Sequence, residues 1–146
     1  MCKALTVAKF FLSSQTGDAS DAISNLKLQK LLYYAQGFYL AIHDKPLFKE
    51  DFEAWEHGPV IPAMYRMFSK YGSGAIPKPD DFSFEPYTDE EKQFLQDVYG
   101  SFGQYSAWAL RDLSHQTTPW KETPRNHIIP QELMKRYFKS QLEQCQ

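Results

Sequence analysis

The residues with chemical potential in this sequence are few, and their spacing decides how far each can go. Ser114 and His115 are adjacent. Neighbours on a helix project about 100° apart, so the hydroxyl and the imidazole point away from each other rather than forming a nucleophile and base. An ordinary helix terminus, with His115 near its C-terminal end, is the reading this favours. Glu53, Glu56 and His57 fall in one short stretch and have the types needed for general acid and base work, although a solvated loop would show the same closeness. The four histidines, His43, His57, His115 and His127, show neither HxxxH nor HxH spacing, which argues against a metal centre. Cys2 and Cys145 each lie beside a chain end, with no CxxC and no nearby histidine, so zinc, redox and disulfide chemistry lack ligands at usable spacing. A phosphate cradle needs glycines clustered ahead of a helix, whereas GPVIP holds one glycine and two prolines that carry no N–H. No cofactor is expected.

Composition narrows the classes further. At 146 residues the chain suits one domain, taken as 1–146. A formal net charge of −2 supplies no global attraction to phosphate backbones or anionic lipid. Lys27 with Lys30, or Lys135, Arg136 and Lys139, could make a local basic patch, but a solvated helical face explains both sets, and nucleic acid is not expected as a partner. The longest apolar runs are far short of a membrane span, and MCKALTVAKFFLSSQ lacks the features of a signal peptide. A cytoplasmic protein is expected, with no membrane partner.

The elements that must position these residues are mostly helical. ALTVAKFFLSS (4 to 14) places Leu5, Ala8, Phe11 and Leu12 on one face, and a break at QTGDASDAIS follows. Asn25 is read as the N-cap of the next helix. On that helix Leu28, Leu31, Leu32, Ala35, Phe38, Tyr39 and Ile42 form an apolar stripe, with Lys27, Gln29, Lys30 and Gln36 mostly outside it. Tyr33, Tyr34 and Leu40 widen the apolar arc beyond one face, which predicts a helix sandwiched between two layers. DKPL signals a turn, and the partial alternation of LFKEDFEAW predicts a small β-hairpin around residues 46–57. Gly58 permits backbone angles closed to other residues and Pro59 fixes its own, Pro62 suits the first turn of a helix, Ile61, Met64, Phe68 and Tyr71 step along one helical face, and Gly72 ends it.

Residues 73–86 contain three prolines and read as an irregular surface connection. Thr88 and Glu91 form a capping box for a helix with Phe94, Leu95 and Val98 on its buried face up to Gly100. Tyr105, Trp108, Ala109 and Leu113 recur at helical spacing, QTTPWKETPR forms an ordered bend, and Pro130 opens a last helix with Leu133, Met134, Tyr137, Phe138 and Leu142 facing inward. The expected fold is mainly α, a compact bundle of about five or six helices with the hairpin inserted.

An aromatic share of 16% exceeds what this core requires, and much of the remainder lies on turns. Tryptophan and tyrosine on rigid turns desolvate a large area at little entropic cost, which is why they dominate interfaces. Sealing the core beneath the loops is the competing use for Trp55 and Trp120. Tyr33, Tyr34, Tyr39, Trp55, Glu56, His57 and Tyr65 are the candidates for contact with a partner.

KLQKLLYYAQGFYLA, then FEAWEHGPVIPAMYRMFSKYG, then LSHQTTPW resembles in order and spacing the Panacea domain, the family of SocA-like antitoxins and phage-associated GepA-like proteins. The resemblance runs from about Leu5 to Leu142. It implies a mostly helical, non-enzymatic cytoplasmic antitoxin that neutralises a cognate toxin, encoded by an adjacent gene, through direct binding. A proteolytic adaptor that delivers the toxin to a cytoplasmic protease is the alternative it leaves open. A small enzyme using Glu56, His57 and His115 is the alternative the residues leave open, and a homodimer is a further open partner. The family's motifs fall on Lys27, Leu28, Gln29, Lys30, Leu32, Tyr34 and Ala35, on Trp55, Gly58, Pro59, Val60 and Tyr65, and on Leu113, Ser114, Pro119 and Trp120. A family that binds unrelated toxins is expected to keep its scaffold and vary its contact surface, so these motif residues are expected to be structural, Gly58 and Pro59 above all.

Overall fold

A computed structural model describes residues 3–144; Cys2 and Cys145 lie outside the described residues. The elements follow as α1 (Ala4–Ser13), α2 (Asn25–His43), the strands β1 (Glu53–Trp55) and β2 (Gly58–Val60), α3 (Pro62–Phe68), α4 (Asp89–Phe102), α5 (Ala107–His115), α6 (Thr118–Glu122) and α7 (Gln131–Gln144). Single 3-10 turns cover Ala19–Asp21 and Ser69–Tyr71. The architecture is the expected helical bundle with one antiparallel hairpin, whose strands pair Glu53 with Val60 and Trp55 with Gly58. The hairpin is centred later than 46–57: Glu56 and His57 make its turn, Gly58 opens the second strand at φ 108°, and the prolines that follow lie in or just after that strand. Among the described residues no helix is long and apolar enough to cross a membrane.

α2 is the axis of the molecule, packed against α1, α3, α4, α5, α7 and β2. Its start differs from expectation. Ser24 is the N-cap, accepting from Lys27 N–H at 3.3 Å, and Asn25 turns its amide inward, donating to the Tyr65 carbonyl at 2.9 Å. The short hydroxyl performs the cap, which frees the amide to link two elements. Asp44 ends the helix in the left-handed conformation, φ 60°.

Burial continues around almost the whole circumference of α2, so Lys27, Gln29, Lys30 and Gln36 are not on an outer face. All four are buried, which removes Lys27 and Lys30 from any basic surface patch. Each is tolerated because it finds a backbone group to satisfy. Lys27 Nζ donates to the Gly103 carbonyl at 2.7 Å. Gln29 Oε1 accepts from Ile61 N–H at 2.9 Å, and Lys30 Nζ donates to the Pro59 carbonyl at 3.1 Å. Gln36 holds the loop before the hairpin, donating to the Phe48 carbonyl and accepting from Leu47 N–H.

The aromatic surplus of α2 is likewise interior. Tyr33 is 0% exposed, and Tyr34 and Tyr39 are buried. The Phe138 ring of α7 meets Tyr33, Tyr34 and Phe38 with centroids 5.5, 5.8 and 4.8 Å away, Phe102 of α4 stacks on Tyr34 at 4.4 Å, and Tyr39 meets Phe94 at 5.3 Å. α7 approaches closely because Gly37 has no side chain; a Cβ there would overlap the Phe138 ring. Tyr33, Tyr34 and Tyr39 therefore build the second layer of the core and are unavailable as a surface for a partner.

Candidate functional site

The hairpin is held on three sides. Along β1, Ala54 N–H donates to the His127 carbonyl at 3.0 Å, Asn126 N–H to the Ala54 carbonyl at 2.7 Å and Ile129 N–H to the Phe52 carbonyl at 2.8 Å. Along β2, where an open edge would leave backbone groups for another strand to pair with, Lys30 and Gln29 of α2 take the Pro59 carbonyl and the Ile61 N–H instead. The tip is pinned by Trp120, whose Nε1 donates to the Trp55 carbonyl at 2.7 Å. Trp120 is itself sandwiched, with His115 stacked at 4.1 Å and the Arg125 guanidinium 3.7 Å from its ring.

The motif residues thus meet in one place. A Cβ at Gly58 would come within 2.5 Å of Lys30 Cε and 2.7 Å of Ser114 Oγ, so the lysine, the turn and α5 touch only because position 58 has none. Ser114 Oγ donates to the Arg111 carbonyl at 2.8 Å and its own carbonyl accepts from Thr117 Oγ1 at 2.7 Å. With that proton committed, Tyr33 O–H is the donor to Thr117 Oγ1 at 2.8 Å. Leu28, Leu32, Ala35, Val60 and Pro119 are buried around this hub, while Leu113 is exposed. Burial, with the Arg111 charge nearby, holds the Lys30 ammonium down to about 7. Burial and Arg111 also lower His115, against a smaller opposing effect from the Glu56 carbonyl.

Above the hub the surface opens into a groove of about 680 Å³ lined by Ser24, Leu26, Val60, Gly72, Ser73, Ala107 and Asn126 together with Trp55, Glu56, His57, Tyr65 and Trp108. Four of the sequence candidates, Trp55, Glu56, His57 and Tyr65, therefore share one wall system. Trp55 and Tyr65 meet edge to face at 5.2 Å, and Trp55 Nε1 donates to Glu53 Oε1 at 2.9 Å. Tyr65 is set in place through its own carbonyl, which the Asn25 amide of α2 holds.

Trp108 was not expected here. Its spacing with Tyr105 and Leu113 suggested a core stripe, but the buried positions of α5 are Leu110 and Ser114, and Trp108 is 59% exposed. Its ring is nevertheless fixed: the Arg111 guanidinium lies 4.9 Å from its centroid and His57 meets it at 5.9 Å. Arg111 Nε donates to His57 Nδ1 at 3.1 Å and Nη1 to Asp112 Oδ1 at 3.0 Å. The signal that could have found Trp108 was Ser114: with that motif residue inward, a 3.6-residue repeat puts Leu110 inward and turns Trp108 out.

Three side chains of the types used in catalysis are each held by a neighbour. His57 Nδ1 is occupied by Arg111, His115 lies flat against Trp120 with Nε2 buried and without a hydrogen-bond partner, and Ser114 Oγ is directed to a backbone carbonyl. Among the described residues no group of three or more His, Cys, Asp or Glu side chains could hold a metal ion. A second cavity of about 640 Å³, lined by residues that include Gln15, Asp18, Asp21, Ile76, Pro77 and Lys78, has no aromatic side chain in its wall.

Residues 28–121 match the family profile described as "Antitoxin SocA-like, Panacea domain". A protein of Caulobacter vibrioides (strain NA1000 / CB15N) that bears the name "Antitoxin SocA" is 39% identical over 109 residues, a match covering 67% of this chain and 58% of that protein. The chain accordingly spans less than two thirds of that relative's length. No solved structure matches. The matched span begins inside α2 and ends in α6, and so takes in the hub, the hairpin and most of the groove wall.

Proposed function

The chain belongs to the antitoxin SocA-like, Panacea domain family, and from that premise we propose that it is an antitoxin that neutralises a cognate protein toxin, encoded by an adjacent gene, by direct binding in the groove between the hairpin, α3 and α5. The observation that carries this reading is the exposure of Trp108 beside Trp55 and Tyr65. Ordered aromatic rings around a concavity are the anchors on which protein interfaces concentrate their energy. The buried motif residues act as scaffold, and the match to an antitoxin family supports a non-enzymatic role.

The test is co-induction. The adjacent reading frame is expressed in a host with and without this chain, and the rescued cells are used for a pull-down. Growth rescue with a stable complex, persisting in a host that lacks the cytoplasmic proteases, is the expected result. Rescue that disappears in the protease-deficient host, with the toxin then accumulating, would transfer the assignment to the proteolytic adaptor.

A further inference from the structure

The chain has three tryptophans, and two of them hold an arginine. Arg111 lies over Trp108 at 4.9 Å and Arg125 over Trp120 at 3.7 Å. Among the described residues Trp55 alone carries no cation, although its surroundings are the ones best suited to one. Its Nε1 donates to the Glu53 carboxylate, which leaves the indole more electron-rich. Tyr65 meets it edge to face at 5.2 Å, and both side chains line the groove. Glu56, which also lines the groove, is exposed and its carboxylate has no ion-pair partner among the described residues. The Arg111 guanidinium, which lies over Trp108, is already engaged with Asp112 and His57.

The chemistry missing from this wall is a planar cation with hydrogen-bond donors at its edge. A guanidinium is attracted to an indole face, and its fork matches a carboxylate in two parallel hydrogen bonds, whereas an ammonium supplies only a point charge. Resting on the groove as the toxin-binding site, we infer that it receives an arginine side chain of the partner protein, seated against Trp55 and Tyr65 with its charge facing Glu56. The occupant is thus a protein segment that presents an arginine within reach of an apolar contact on Trp108.

The protein encoded by the adjacent reading frame, purified, is titrated against the wild-type chain, Glu56→Gln, Glu56→Lys and Trp108→Ala, with thermal melts confirming that each variant folds. Losing the carboxylate in Glu56→Gln is expected to weaken binding roughly tenfold, and reversing the charge in Glu56→Lys by roughly a hundredfold or more. Added salt should weaken the wild-type complex more than the Glu56→Gln complex. If Trp108→Ala weakens the complex while both Glu56 variants bind like the wild type, the groove is used for something other than a cation and the inference falls alone. If all three variants bind like the wild type, the groove reading falls with it, and a wild-type chain that binds nothing overturns both.

Discussion

The hub around Gly58 and the groove that shares its hairpin use polar groups in opposite ways. In the hub, Gln29, Lys30, Ser114 and Thr117 are buried, and each spends its hydrogen bonds on a neighbouring backbone or side chain. In the groove, Glu56 and His57 are exposed, and Trp108 keeps 59% of its surface open. A buried polar group that loses its partner bears the full cost of desolvation, whereas an exposed one regains water. The hub is consequently expected to be intolerant of change and the groove adaptable.

The largest effect should come from breaking the hub at its tightest point. Gly58→Ala forces a Cβ into Lys30 and Ser114 at a backbone φ of 108°, where clash and strain add. A loss of about 3 kcal/mol in chemical denaturation is expected, against a groove variant that leaves the midpoint in place. A midpoint shift below roughly 0.5 kcal/mol would show that the hub repacks freely.

Next in size is Trp108→Ala. Truncating an ordered, exposed ring should cost about 2 kcal/mol of partner affinity, roughly thirtyfold in Kd, while the melting temperature stays within about 2 °C. A collapse in stability with unchanged affinity would place Trp108 on the structural side of the comparison.

The third effect is a pH dependence that belongs to the hub alone. Lys30 is held down to about 7 in the folded chain, by burial first and by Arg111 second, against 10.5 in the ordinary state. Below about 7 both folded and unfolded chains carry the proton and stability does not vary on its account. Between about 7 and 10.5 only the unfolded chain carries it, so stability rises with pH, at most by about 1.4 kcal/mol per pH unit. Urea midpoints measured from pH 6.5 to about 9.5, before tyrosines of the unfolded chain ionise, should rise for the wild type and stay flatter for Lys30→Met. Parallel slopes for the two would mean that Lys30 keeps its proton when buried.

The smallest effect is Tyr65→Ala, expected to weaken partner binding by about 1 kcal/mol, roughly fivefold. Its melting transition should move little, because the contact that fixes Tyr65 to α2 is its backbone carbonyl and not its ring. A loss of stability comparable to that of a core tyrosine would transfer Tyr65 to the interior.

Element order and type were readable for most of the chain because local signals specify them; the exception is QTTPWKETPR, expected as a bend, where Thr118–Glu122 form the short helix α6 with Pro119 in its first turn. The Thr88 and Glu91 capping box is formed at both bonds, Pro62 opens α3 and the left-handed Gly72 closes the turn that follows it. Which face an element buries was less readable where tertiary packing decides. The lysines and glutamines of α2 look like solvent-facing residues until neighbouring elements bring carbonyls to them, and Tyr33, Tyr34 and Tyr39 look like surplus until α4 and α7 close over them. At α5 a strong apolar stripe competed with the weaker face of Leu110 and Ser114, and the weaker face won because it meets α2 and the hairpin. Trp55, Glu56, His57 and Tyr65 line one groove, although only Glu56 and His57 lie on the turn itself, Trp55 ending β1 and Tyr65 sitting on α3; Arg111 was missed because nothing in its own neighbourhood announces that it will contact both Trp108 and His57.

The central claim, that the partner is met at the groove and not elsewhere on the helical surface, is tested most directly by hydrogen exchange on the chain alone and in complex with the product of the adjacent reading frame. Protection on binding should concentrate in peptides spanning 53–67 and 105–112, with α1 and α4 unchanged. Protection confined to α1 and α4, with 53–67 and 105–112 exchanging as in the free chain, would contradict it.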